Sequence, residues 1–232
     1  HELKSMGVEI KTNVLFGKMA DLDDLKAQGF AAVLLAVGAG VPQFLDIPGA
    51  NLGGVYYAQE FLMRVNLTKT NIFSRGIPSF IVGQKIVVIG SGNTALDCAR
   101  AALRLGREVT IVFPCSQDDM KARREEQDHS KGEGLVFEPM VNPIEITADK
   151  SGFVNGLKCV RLDYADTDTS GNWELSPLPD SEFILETDTV IIAGGHQANT
   201  LIAKFISGLK INKDGTIWTN PKNSMTSKAG VF

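Results

Sequence analysis

Residues 87–113, VVIGSGNTALDCARAALRLGREVTIVF, constrain the fold more than any other part of the chain. An apolar run ends at Gly90, a second glycine follows at 92, and Ala95 completes a GxGxxA spacing. A helical pattern then leads to Gly106, and a second apolar run ends at Phe113. Gly90 permits a tight turn, Gly92 lets a pyrophosphate approach the main chain, and Ala95 lets helix and strand pack closely. The free amides and positive dipole end of the helix then face the phosphates, with Asn93 and Thr94 adding polar groups there. Ala95, Leu96, Ala99, Ala102 and Leu103 share a helical face, whereas Asp97, Arg100, Arg104 and Arg107 can point outward. Strand, turn, helix and strand in this register predict a dinucleotide-binding unit; the bland alternative is the same unit with no ligand.

The second strand is less conventional. Such a strand ends in an acid that holds the adenosine ribose, or leads into bases that hold a 2'-phosphate. Pro114 and Cys115 can do neither. The nearest cations are Lys121, Arg123 and Arg124. They either reach back to a ligand or are solvated helix charges. Cys98 is expected to pack inside the helix face, and Cys115 to line a pocket.

Around this unit the pattern is α/β. A short helix is expected over 21–28, with Asp21 as N-cap and Gly29 as stop, preceded by a short strand over 8–10. AAVLLAVGAG, residues 31–40, is apolar on both faces and predicts a strand buried in a parallel sheet. AQEFLMRV predicts a helix, residues 66–84 a connector, DDMKARREEQDHSKGEG a helix and LVFEP a strand. From Asn142, β-branched runs broken by Gly, Asn, Asp and Pro predict an antiparallel meander. DTVIIAGGHQAN, residues 188–199, returns to the buried-strand style and echoes FAAVLLAVGAG.

Composition excludes several classes. The formal net charge is −4 over 232 residues, so no basic field invites nucleic acid. No apolar run approaches the ~18 residues of a membrane span. Cys98, Cys115 and Cys159 lie far apart, as do the three histidines, so no metal site is expected and a cytoplasmic setting is the default. The polar start HELKSMGVEI has no leader-like run, and the chain reads as an excised piece of a longer protein.

Four stretches carry a resemblance: FAAVLLAVGAGVPQFLDIPGANLGGVYYAQEFL, VVIGSGNTALDCARAALRLGREVTIVF, MKARREEQDHSKGEG and DTVIIAGGHQAN. In this order they resemble the FAD- and NADPH-dependent oxidoreductases typified by the small (beta) subunit of bacterial glutamate synthase. Dihydropyrimidine dehydrogenase and NADH-dependent ferredoxin-NADP reductases include relatives. The resemblance implies a Rossmann-like FAD/NAD(P)-binding domain, with a parallel sheet and an antiparallel β meander, beside part of a second, FAD-type domain. Residues 1–75 would end the first FAD-domain segment, 76–196 would form the NAD(P)H domain, and 197–232 would begin the returning FAD-domain segment. The family's two FAD motifs would lie before His1 and after Phe232.

The implied activity is hydride transfer from NADPH or NADH to FAD, and onward to an iron-sulfur domain or a larger subunit. Gly90, Ser91, Gly92, Asn93 and Thr94 would hold the pyrophosphate, Ser116, Lys121 and Arg124 the adenosine end, and Gly194 and Gly195 the nicotinamide end. No protein nucleophile or acid–base pair is required, and His196 is read as an altered loop neighbour. Pro114 and Cys115 depart from the family, where two basic residues are usual. The rival reading is a non-catalytic Rossmann module with weakened cofactor binding that serves subunit assembly. A Rossmann enzyme of another kind, such as a methyltransferase, fits the β-rich second half poorly.

Overall fold

A computed structural model describes residues 2–68, 82–165 and 175–232. The chain forms two compact units, one from residues 1–41 and 196–232 and the other from residues 42–195. Short strands β1 (Val41–Pro42) and β11 (His196–Gln197) mark where the chain passes from one to the other.

In the first unit, α1 (Glu2–Ser5) ends when the Val8 N–H bonds back to the Leu3 carbonyl, with Gly7 at φ +87°. That closure satisfies a helix end, so the strand expected over 8–10 does not form. Helix α2 (Leu22–Ala27) begins as the sequence predicts. Asp21 Oδ1 accepts the N–H groups of Asp23 and Asp24 at 2.9 Å, and Asp24 Oδ2 accepts that of Asp21 at 3.0 Å. Leu22 packs with Ile206 and Leu209, beyond α6 (Leu201–Phe205), and with Val231.

The buried strand expected over 31–40 is not found. Only Val33 pairs, with Val231, while Leu34 is 75% and Val37 52% exposed. An all-apolar run becomes a buried strand only where neighbours cover both faces, and among the described residues this one has a single bridge on one side.

The second unit is built on a parallel sheet in the order β2 (Val55–Tyr57), β10 (Thr189–Ile192), β3 (Lys85–Ile89), β4 (Glu108–Phe113), β5 (Val136–Pro139). Its alternating residues explain the continuous apolar runs. Val88 and Ile111 face a cluster with Phe61 of α3 (Ala58–Thr68) and Leu96 and Ala99 of α4 (Asn93–Arg104). Val87, Ile89, Val112 and Val190 face Val141, Leu157 and Cys159 on the opposite side. Those three belong to an antiparallel layer of β6 (Val141–Ala148), β7 (Val154–Tyr164), β8 (Leu175–Pro177) and β9 (Phe183–Glu186), in which β7 pairs with the other three. Both sheet faces are therefore dry, and each fully buried Val, Ile or Leu contributes about 1.5–3 kcal/mol.

Helix α5 (Arg124–Gly132) joins the helical layer. The compact unit begins at Pro42, whereas the sequence places a boundary after residue 75. The reason is register: β2 pairs with β10, Val55 opposite Val190, so residues 42–68 belong to the glycine-turn unit. The expected connector falls mostly on 69–81, outside the described residues.

Candidate functional site

The glycine turn sits at the carboxyl end of the parallel strands, where open α/β sheets take ligands. Ile89 ends β3 by accepting the Ala193 N–H at 2.8 Å, and the Gly90 N–H donates to Val112 at 3.0 Å. Gly90 has φ +145°, and a Cβ there would stand 2.5 Å from the Ala193 carbonyl oxygen. Gly92 differs. It is the N-cap of α4 in an extended conformation, φ −93°, with no side-chain cap, and a Cβ on it would meet nothing within 4 Å. Gly90 is required by the protein's own backbone, whereas the space beside Gly92 is left open.

That space belongs to a cavity of about 340 Å³, within the range of small-molecule sites. Gly90, Ser91 and Gly92 form one side and Ala193, Gly194 and Gly195 another. Phe113 and Pro114 at the end of β4, Asn142 and Pro143 at the start of β6, and Leu45 also line it, and among the described residues Lys121 is the one ionisable side chain of the lining. The first-turn amides of α4, the helix dipole and the Lys121 ammonium make the cavity favourable for an anion.

Lys121 is brought there by two bonds. Ala122 N–H donates to the Ser91 carbonyl at 2.9 Å, and Arg123 N–H donates to Asn93 Oδ1 at 3.0 Å. The segment from 114 to 123 is thus fastened to the glycine turn at its far end. Asn93 serves as the acceptor for that fastening, and Thr94 is half-buried in the first turn.

Ser116 and Arg124 lie outside the lining. Ser116 Oγ donates to Asp119 Oδ2 at 2.7 Å, and Arg124 pairs with Asp118 at 3.2 Å with both side chains over 80% exposed. Gly194 and Gly195 are at the cavity, the latter at φ +112° with its carbonyl accepting the Gln43 N–H at 3.0 Å. His196 does not share it. It lines a cavity of about 490 Å³ in the first unit, with Gly38, Ala39 and Asp214.

The thiols are unsuited to nucleophilic work. Burial pushes Cys98 and Cys159 up to about 12, and Cys98 packs inside α4 as its spacing predicts. Burial, and then the Asp119 carboxylate, also raise Cys115. Among the described residues no group of three or more His, Cys, Asp or Glu side chains is placed to hold a metal ion, and no helix is long and apolar enough to cross a membrane.

Sequence reasoning missed Gln43, Leu45, Asn142 and Pro143. They come from segments distant in the chain and carry no local pattern, so only strand pairing places them.

The profile of the family described as pyridine nucleotide-disulphide oxidoreductase matches residues 2–232. The chain is 34% identical over 234 residues to the NADP(+)-dependent formate dehydrogenase subunit beta of Moorella thermoacetica, covering 99% of this chain and 31% of that protein. It is 36% identical over 225 residues to the NADPH-Fe(3+) oxidoreductase subunit beta of Geobacter sulfurreducens, with coverages of 94% and 31%. The chain thus spans about a third of the length of these relatives. It is also 31% identical to the small chain of glutamate synthase [NADPH] from Escherichia coli, over 84% of this chain and 42% of that protein.

Among solved structures, Mycobacterium tuberculosis FprA in complex with NADPH superposes with a TM-score of 0.65 at 21% identity, over 90% of this chain and 58% of that one. Thioredoxin reductase of T. acidophilum gives 0.59 at 20% identity, over 87% and 55%. These two share the fold. The sequence match over nearly the whole chain places it in the pyridine nucleotide-disulphide oxidoreductase family.

Proposed function

We propose that this chain is the NAD(P)H-binding portion of a flavin-dependent oxidoreductase. The observation that carries the reading is the open space at Gly92, in a cavity whose walls are the glycine turn and the Ala193–Gly195 backbone. A side chain would fill that approach, and its absence fits a pyrophosphate drawn against main-chain amides. Gly90, Ser91, Gly92, Asn93 and Thr94 are the pyrophosphate side. Gly194 and Gly195 are the nicotinamide side. Ser116, Lys121 and Arg124 belong to the segment after β4 that meets the adenosine half.

The bound dinucleotide would supply a hydride to FAD in the full-length protein. This chain's own part is to bind, orient and exclude water; no side chain at the cavity is placed as a nucleophile. The names of the relatives, subunits of NADP- and NADPH-dependent enzymes, support a partner subunit; onward transfer of electrons to it or to an iron-sulfur domain completes the proposal. We read residues 42–195 as the nucleotide domain, and residues 1–41 and 196–232 as parts of the FAD-type domain that flank it.

Calorimetric titration of the chain with NADPH and NADH tests this. Binding of either that is lost in Gly92→Ala supports the reading, and no binding of either sinks it. The absence of a pair of bases at 114 and 115 favours the non-catalytic module as the second reading, and that module would bind neither.

A further inference from the structure

We propose that Gln43 reads the carboxamide of the nicotinamide ring, and that residues 43–45 form the seat in which that ring is held. The inference rests on the dinucleotide reading above and goes beyond it by assigning a ring-specific contact to a residue that no local pattern signals.

The nicotinamide end of the cavity is walled by Gly194 and Gly195, which have no side chains to offer. A nicotinamide presents a flat ring and one primary amide, whose N–H groups need an acceptor and whose oxygen needs a donor. The polar side chains of the lining belong to other segments: Ser91 to the glycine turn, Lys121 to the stretch fastened to that turn, and Asn142 to β6. The pairing must come from beside the two glycines.

Gln43 stands there. Leaving aside chain neighbours, it is the one described residue within 4 Å of the points where a Cβ on these glycines would lie. Its backbone oxygen is 3.9 Å from the point on Gly194, and its Oε1 is 3.4 Å from the point on Gly195. The Gln43 N–H donates to the Gly195 carbonyl at 3.0 Å. Its side chain is exposed, and the carboxamide makes no hydrogen bond to any described residue. A glutamine amide complements a nicotinamide amide in both directions, Nε2–H donating to the ligand oxygen while Oε1 accepts from the ligand NH2.

The next two residues hold the seat in shape. The Phe44 ring meets the Tyr57 ring edge-on, with centroids 5.2 Å apart, and Tyr57 pairs with Ile192 of β10. Leu45 lines the cavity and packs against the cluster that contains Val190 and Ile192. Three successive residues are thus held to β10 and the glycines that follow it, so the seat exists before a ligand arrives. Leu45 supplies an apolar wall for the ring, and Gln43 the polar group that fixes its orientation.

The test titrates three ligands calorimetrically into the 232-residue chain. They are NADPH, its reduced 3-acetylpyridine analogue, which keeps the carbonyl but lacks the NH2, and 2'-phospho-ADP-ribose, which lacks the ring. The counterparts without the 2'-phosphate are run in parallel, and the tighter series is read. Wild type is expected to bind NADPH about three- to tenfold tighter than the acetylpyridine analogue, the equivalent of one hydrogen bond. Gln43→Ala should lower NADPH affinity about tenfold and bring these two ligands close to equal, with 2'-phospho-ADP-ribose unchanged. Gln43→Glu, which still accepts from an NH2 but has no donor for a carbonyl, should widen the ratio instead. These opposite directions separate a contact with the amide from a role in holding Gly195, which the backbone N–H fills in both variants. Equal loss on all three ligands in Gln43→Ala, or ratios unchanged in both variants, overturns the proposal and leaves the dinucleotide reading standing, with circular dichroism showing that each variant is folded. A wild-type chain that binds the analogue as tightly as NADPH does the same. Binding of none of the ligands to wild type overturns both.

Discussion

The backbone N–H of Arg123 donates to Oδ1 of Asn93 at 3.0 Å, so the first residue of α4 fastens the start of α5. One asparagine thereby ties the glycine turn to the segment that carries Lys121. Asn93→Ala removes the acceptor. We expect dinucleotide affinity to fall about three- to tenfold, the equivalent of one neutral hydrogen bond, with little change in melting temperature. Titration calorimetry with NADH or NADPH reads this, and unchanged affinity would show that the tie has no part in the site.

The two glycines of the turn should separate fold from function. In Gly90→Ala the new Cβ would stand 2.5 Å from the Ala193 carbonyl oxygen at φ +145°, and the expected loss of stability is about 2–3 kcal/mol. Gly92→Ala meets no atom within 4 Å at an ordinary φ of −93°. Its denaturation midpoint should match the parent, while nucleotide affinity drops at least about tenfold because the approach to the main chain is blocked. Urea denaturation and calorimetry on the two variants check both halves. Equal destabilisation by both would refute the distinction.

Arg100 of α4 reaches two acids of the α5 region, Glu126 at 2.7 Å and Glu133 at 2.6 Å. The Arg100 guanidinium holds the Glu133 carboxyl below its usual value of 4.5. A depressed carboxylate stabilises the fold at pH above its unfolded value and ceases to do so as pH falls through the folded one. Arg100→Met should cost about 1 kcal/mol near neutral pH, since the group is partly solvated, and the difference should shrink as falling pH protonates the Glu133 carboxylate. Urea midpoints over falling pH test it; a pH-independent difference would assign the cost to packing.

Cys98 and Cys159 give the opposite sign. Burial raises both thiols to about 12 from 9.0, so they stay neutral in the fold but ionise in the unfolded chain. Their contribution is complete below about pH 9 and declines as pH rises above it. Cys98→Ala should flatten the alkaline limb of the stability curve. In the native state a thiol reagent near pH 8 should modify neither residue at a measurable rate, Cys115 reacting first. Rapid labelling of all three before unfolding would contradict the burial.

The sequence by itself determined the βαβ unit, the helix over 22–27 and the buried strand at 189–192, because those signals are local. Gly90 and Gly92 needed only their spacing, Asp21 only its position before an apolar turn, and Cys98 only its helical register. It could not determine that residues 31–40 would lack a paired ladder, because an apolar run records the need for cover and not the presence of neighbours. Nor could it place Leu45, Asn142 and Pro143 at the glycine turn, or turn Asn93 into the acceptor for Arg123. Those depend on β2 pairing with β10 and on β6 leaving the end of β5, contacts between residues far apart in the chain. The tertiary structure also set the charges. Lys121, Arg123 and Arg124 are three similar cations in sequence, yet backbone bonds to Ser91 and Asn93 bring only Lys121 to the cavity, while Asp118 occupies Arg124 and Ser116 orients Asp119.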